Sequence, residues 1–146
     1  MKERTVDTEY ENLVITKAIE HIVEKYVTNQ KVSINDETVY YICQIISIMG
    51  TSNNKLKIFR LISSRTKDAF ARIRAVEYAE FFGEFCKEVK DKLREYMGFF
   101  DAFKRRRYLK KMSDVLYERI QLIDVAVPLI STYLVPFILE NYSELF

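Results

Sequence analysis

The chain has 146 residues, 49% of them apolar and 30% charged, with a net charge of +2, three glycines, two prolines and two cysteines. This length is typical of one domain, and the composition excludes collagen-like, low-complexity, disulfide-framework and disordered proteins. A single histidine, His21, and isolated glycines provide neither a metal-ligand cluster nor a phosphate-binding loop, so we expect no enzyme, no cofactor, no metal and no small-molecule substrate.

Apolar residues recur at helical spacing along the chain, and no alternation typical of strands is present. The sequence therefore predicts an all-α, single-domain bundle of about five to six helices over residues 1–146. The first helix is predicted from about Glu9 to Thr28, after a capping box that begins at Thr8. The second is predicted over 36–49, with Ser33 or Asn35 as its N-cap.

The middle of the chain is predicted to hold a short third helix and then a long one. The short helix follows the turn before Lys55, and the long helix covers 67–97, where one apolar seam continues until Gly98 stops it. Asp101 is the predicted N-cap of the next helix, which carries a run of basic residues in its first two turns. Pro128 restricts the residue before it and is predicted to end that helix.

The C-terminal segment contains fifteen consecutive uncharged residues over 125–139, interrupted by Pro128 and Pro136. A membrane-spanning helix needs about twenty, so we expect a terminal helix that closes the bundle, or else a subunit contact, and no membrane. Cys43 and Cys86 lie in apolar contexts and are predicted to be free thiols. Because the first residues lack the apolar core of a signal peptide, we expect a reducing, cytoplasmic location.

The small net charge conceals two basic tracts. Residues 55–74 hold seven basic side chains and one acidic one, and residues 104–111 hold six basic side chains and no acidic one, so each tract carries +6 and the remainder of the chain −10. The candidate nucleic-acid-binding residues are these thirteen: Lys55, Lys57, Arg60, Arg65, Lys67, Arg72, Arg74, Lys104, Arg105, Arg106, Arg107, Lys110 and Lys111.

Positive charge at this density attracts polyanions, which release their condensed counterions on binding. We therefore predict that the protein binds single-stranded DNA or RNA through the backbone, and that both tracts meet on one exposed surface. The alternatives are an acidic protein, lipid headgroups, or ordinary solvated helix faces without a ligand.

Residues 46–59 have the rhythm of a helix-turn-helix motif, which gives a second hypothesis. Gly50 would form the turn, Ser52 would cap the second helix, and Lys55, Lys57 and Arg60 would face the DNA groove. This interpretation predicts a regulator that recognises a particular duplex sequence.

Three segments resemble the C-terminal helical region of the large subunit of type I-D CRISPR effector complexes: Tyr78–Phe85, Lys104–Lys111 and Val115–Glu118. The resemblance covers residues 68–121, and that region can also be made separately as the small subunit of the complex. It implies a non-catalytic helical subunit, stacked in several copies with other proteins of an RNA-guided complex, that guides a DNA strand along its basic surface. A viral, Bcl-2-like protein-interaction module is an alternative of a different class.

Overall fold

The computed structural model of the protein describes residues 2–49 and 63–146, and every regular element in these two ranges is helical, which confirms the all-α fold. The described α-helices, in chain order, are α1 (Lys2–Val27), α2 (Ile34–Met49), α3 (Ser64–Arg72), α4 (Val76–Glu95), α5 (Ala102–Ala126) and α6 (Val135–Asn141). The predicted helix that begins near Lys55, and the predicted helix-ending Gly50, lie outside the described residues.

One hydrophobic core joins these helices. Val14 of α1, Ile42 of α2, Leu116 of α5 and Ile138 of α6 are fully buried in it. Its centre is aromatic. The Phe70 ring of α3 stacks on two rings of α4, with centroid distances of 5.4 Å to Tyr78 and 5.0 Å to Phe82. Stacked aromatic rings therefore join α3 to α4.

The first two helices show one wrong prediction and one correct one. Helix α1 begins at Lys2, so the predicted capping box at Thr8 lies inside a helix, because no glycine or proline interrupts the residues before it. Helix α2 begins as predicted after Ser33. The Asp36 amide donates to Ser33 Oγ at 3.1 Å, and the Ser33 amide donates to Asp36 Oδ2 at 2.9 Å, which is a reciprocal capping box.

The prediction of one long helix over 67–97 is wrong, because the chain breaks between α3 and α4. Arg74 takes a left-handed conformation, with φ of 65°. The Ala75 amide donates to the Phe70 carbonyl at 2.9 Å and the Arg74 amide to the Ala71 carbonyl at 3.0 Å, which is a Schellman ending. Glycine usually occupies this position, and an arginine there gives the sequence no sign of the break.

The C-terminal segment closes the bundle as predicted. Helix α5 ends at Ala126, and Val127 before Pro128 is extended. The chain then continues through a π-helical turn, Ile130–Leu134, into α6, which has Pro136 in its first turn. Leu129 and Leu134 are buried in the core.

A hydrogen-bond network anchors the turn between α5 and the C-terminal segment. The Tyr78 hydroxyl of α4 lies 2.7 Å from the Val127 carbonyl and 3.0 Å from Asp124 Oδ1, which also accepts from the Leu129 amide at 2.9 Å. Burial, together with the Asp124 carboxylate, raises the pKa of Tyr78 above its usual range, so the phenol stays protonated and donates.

No single helix in the described ranges is long and apolar enough to cross a bilayer. Phe99–Ala126 and Ile130–Asn141 meet the length and composition requirement only as a pair, and they are bent by 58°.

Cys43 and Cys86 are both free thiols, as predicted, and burial raises the pKa of Cys43 to about 12.

Candidate nucleic-acid interface

The second basic tract lies in the first turns of α5, as predicted, and part of it lines a groove against the end of α4. The groove has a volume of about 420 Å³. We call it the α4–α5 groove, and its lining residues are Tyr96, Lys104, Arg107, Tyr108 and Lys111. The last four recur at intervals of three and four residues, so one face of α5 presents them together.

Two of the residues that line the α4–α5 groove are tyrosines. The Tyr96 and Tyr108 rings meet edge to face, with centroids 6.0 Å apart, and both are half-buried. Burial, with a contribution from the Glu88 carboxylate, raises the pKa of Tyr108, so its phenol stays neutral at physiological pH. The lining of the groove therefore combines exposed cations with half-buried aromatic rings.

The remaining residues of the second tract do not line the groove. Arg105 is half-buried, and its Nη1 donates to the Tyr96 carbonyl at 2.9 Å, so it holds the last turn of α4 against α5. Arg106 and Lys110 are exposed on another face of α5. Lys104 Nζ lies 3.9 Å from Asp101 Oδ1, an exposed contact that contributes little energy.

The described residues of the first tract are spread around α3. Lys55, Lys57 and Arg60, and with them most of the predicted helix-turn-helix, lie outside the described residues. Arg65 and Arg72 line a cavity of about 150 Å³ beside α2, where the Arg65 guanidinium lies 4.7 Å from the centroid of the Tyr41 ring.

Arg74 and Lys67, the other two described cations of the first tract, do not line the cavity beside α2. Arg74 Nη2 is 4.0 Å from Glu140 Oε1 on α6, whereas Lys67 faces α4. None of the four described cations of the first tract lines the α4–α5 groove. The structure therefore places these four cations outside the α4–α5 groove, because neighbouring positions on a short helix face different partners.

A second basic groove, between α3 and α4, was not predicted. It has a volume of about 380 Å³, and its charged lining residues are Lys67, Lys87, Lys90, Arg94 and Asp91. The closeness of the two helices explains it, since a Cβ built on Gly83 of α4 would lie 3.1 Å from Lys67 Cδ. Acidic residues alternate with these cations in the sequence, so the segment does not stand out as basic. The spacing of three and four residues between Lys87, Lys90 and Arg94 nevertheless indicates that the cations share one helix face.

An exposed aromatic turn precedes α5, and the sequence reasoning did not single it out. Phe99, Phe100 and Phe103 are 92%, 90% and 73% exposed. Full burial of one such side chain is worth about 1.5–3 kcal/mol, so this turn forgoes a substantial stabilisation. Clustered apolar exposure of this kind marks an interaction site. The adjacent Phe-Phe pair directly after Gly98 was the available signal.

Asp101 fixes the shape of this turn. It precedes α5 as predicted, but its side chain caps the turn, not the helix: Asp101 Oδ2 accepts from the Gly98 amide at 3.0 Å, and the Asp101 amide donates to the Gly98 carbonyl at 3.0 Å. A Cβ on residue 98 would lie 2.7 Å from Asp101 Oδ2, which explains the glycine there. Phe99 and Phe100 are thus held outwards by a closed turn.

No protein-family model, no curated protein and no solved structure matches the chain. Within the ranges 2–49 and 63–146, no group of three or more histidine, cysteine, aspartate or glutamate side chains is arranged to hold a metal ion.

Proposed function

We propose that the protein is a non-catalytic nucleic-acid-binding protein whose α4–α5 groove holds the phosphate backbone of single-stranded DNA or RNA. The observation that carries the proposal is the alignment of Lys104, Arg107 and Lys111 along one groove that two tyrosines also line. Grooves that combine cations with aromatic rings are the usual means of binding single strands without sequence preference.

The arrangement of the cations favours a chain of phosphates over a single anion. Lys104 and Lys111 are seven residues apart, so they are separated by about 10 Å along the helix axis. The three charges therefore repeat along the groove and do not converge on one point. Lys104 also lies in the first turn of α5, where a positive side chain opposes the macrodipole, and a bound phosphate would relieve that repulsion.

The finer assignment rests on the sequence alone. The resemblance of residues 68–121 to the helical region of type I-D CRISPR complexes is compatible with such a groove, and the small-subunit role stays a prediction. Purification of the native assembly, followed by identification of co-purifying RNA and protein subunits, is its direct test.

The groove can be tested with two matched variants. Arg107→Gln/Lys111→Gln removes two groove cations, and Arg106→Gln/Lys110→Gln removes the same residue types at the same spacing outside the groove. In fluorescence anisotropy with labelled fifteen-residue oligothymidine, we expect the groove variant to weaken binding about tenfold or more, because it loses charged hydrogen bonds. We expect the control variant to change affinity less than about threefold.

Three results would contradict the proposal. Equal losses in both variants would show that diffuse charge, not the groove, binds the strand. Absence of binding by the parent protein at low salt would reject nucleic acid as the ligand. High affinity for one duplex sequence alone would favour the helix-turn-helix hypothesis. Circular dichroism of each variant establishes that the fold is intact.

A further inference from the structure

We propose that Phe99, Phe100 and Phe103 form a stacking platform for unpaired bases of the same strand whose phosphates lie in the α4–α5 groove. This inference rests on the proposed function and deepens it, since it assigns the bases to a second, adjacent set of residues. We call the three residues the phenylalanine platform.

The platform is built to present ring faces. Phe99 and Phe100 meet edge to face, with centroids 5.3 Å apart and an interplanar angle of 87°, and each is at least 90% exposed. The hydrogen bonds between Asp101 and Gly98 close the turn that carries them. The backbone that carries these rings is therefore already ordered, which reduces the entropy lost when a base stacks on them.

The platform is continuous with the groove along α5. Phe103 precedes Arg107 by four residues and therefore neighbours it on the helix surface. Lys104 directly follows Phe103 and lines the groove. A strand that leaves the groove towards the start of α5 would thus reach the platform, and the groove that it leaves is lined by Tyr96 and Tyr108.

A single strand matches this combination of features better than a membrane does. It offers phosphates and planar apolar faces in alternation, whereas a duplex hides the base faces within its stack. An anionic bilayer also offers charge and apolar material, but it is a broad surface and the cations here line a groove. All three members of the platform are planar rings, which favours a planar partner.

The test compares two probes of equal length: oligothymidine and the same backbone made entirely of abasic residues. We expect the parent protein to bind oligothymidine about tenfold or more tightly than the abasic strand. Phe99→Ala/Phe100→Ala should lower the affinity for oligothymidine several-fold towards the abasic level and leave the abasic affinity unchanged. Phe99→Tyr/Phe100→Tyr should retain the preference, whereas Phe99→Leu/Phe100→Leu, which is apolar but not aromatic, should lose it.

The outcomes separate this inference from the proposed function. Equal binding of both probes by the parent protein overturns the stacking platform and leaves the groove standing. Failure to bind either probe overturns both. If Phe99→Ala/Phe100→Ala abolishes co-sedimentation with phosphatidylserine vesicles but leaves oligothymidine binding unchanged, the platform is a membrane contact and the inference is wrong. Both side chains are exposed, so unchanged melting temperatures are expected throughout.

Discussion

Asp36 shows how one buried carboxylate can hold three parts of the chain together. Its side chain is 1% exposed, and it accepts from Lys25 Nζ of α1 at 2.9 Å and from the Tyr142 hydroxyl at 2.6 Å, in addition to the Ser33 amide. Burial raises the pKa of Asp36, but the hydrogen bonds from Tyr142, Lys25 and Ser33 outweigh it and lower the pKa to about 2. The sequence could place Ser33 as a cap, but Tyr142 lies 106 residues away and gave no sign of this contact.

We predict that Asp36→Asn makes the protein less stable at neutral pH and that the difference shrinks in acid. An ordinary aspartate has a pKa near 4, so the folded state of the parent protein gains about 2 kcal/mol that is present above pH 4 and is lost as the pH falls towards 2. Urea unfolding at pH 7 and pH 2.5 measures this. Asp68→Asn, at an exposed aspartate of α3, serves as the control. A stability difference independent of pH would contradict this account of Asp36.

At the level of elements, the sequence predicted helical content well and helix boundaries unevenly. Ser33 and Pro128 mark real ends because a cap and a missing amide act locally. The break at Arg74 escaped prediction because it depends on a left-handed arginine, which only the packing of α3 against α4 can hold in place. The prediction of one long helix failed for that reason.

The left-handed conformation of Arg74 predicts that substitution by glycine has opposite effects on stability at positions 74 and 72. Arg74→Gly should stabilise the protein by about 1 kcal/mol, because glycine adopts a positive φ without steric cost. Arg72→Gly, in the last turn of α3, should destabilise it by up to about 1 kcal/mol, because glycine weakens a helix. The exposed contact of Arg74 with Glu140 contributes little to this comparison. Thermal or urea unfolding measures both effects. Destabilisation by Arg74→Gly would contradict the left-handed conformation of residue 74.

For the whole molecule, local sequence patterns predicted which helix carries each charged residue. They did not predict which groove or surface each charged side chain lines. The run 104–111 could be placed in the first turns of α5 from sequence. Its division into the groove cations, the anchoring Arg105 and the outer pair Arg106 and Lys110 required the position of α4. The α3–α4 groove likewise exists only because Lys67 lies against α4. Tertiary packing, which no periodicity encodes, decides these surfaces.

The salt dependence of strand binding tests the central claim most directly. Each phosphate held by a cation on a single strand contributes about −0.7 to the slope of log affinity against log salt concentration, so three groove cations predict a slope of about −2 for oligothymidine. Arg107→Gln/Lys111→Gln should reduce the slope to about −0.7. A slope near zero for the parent protein, or one that this substitution leaves unchanged, would show that the α4–α5 groove does not hold the phosphate backbone.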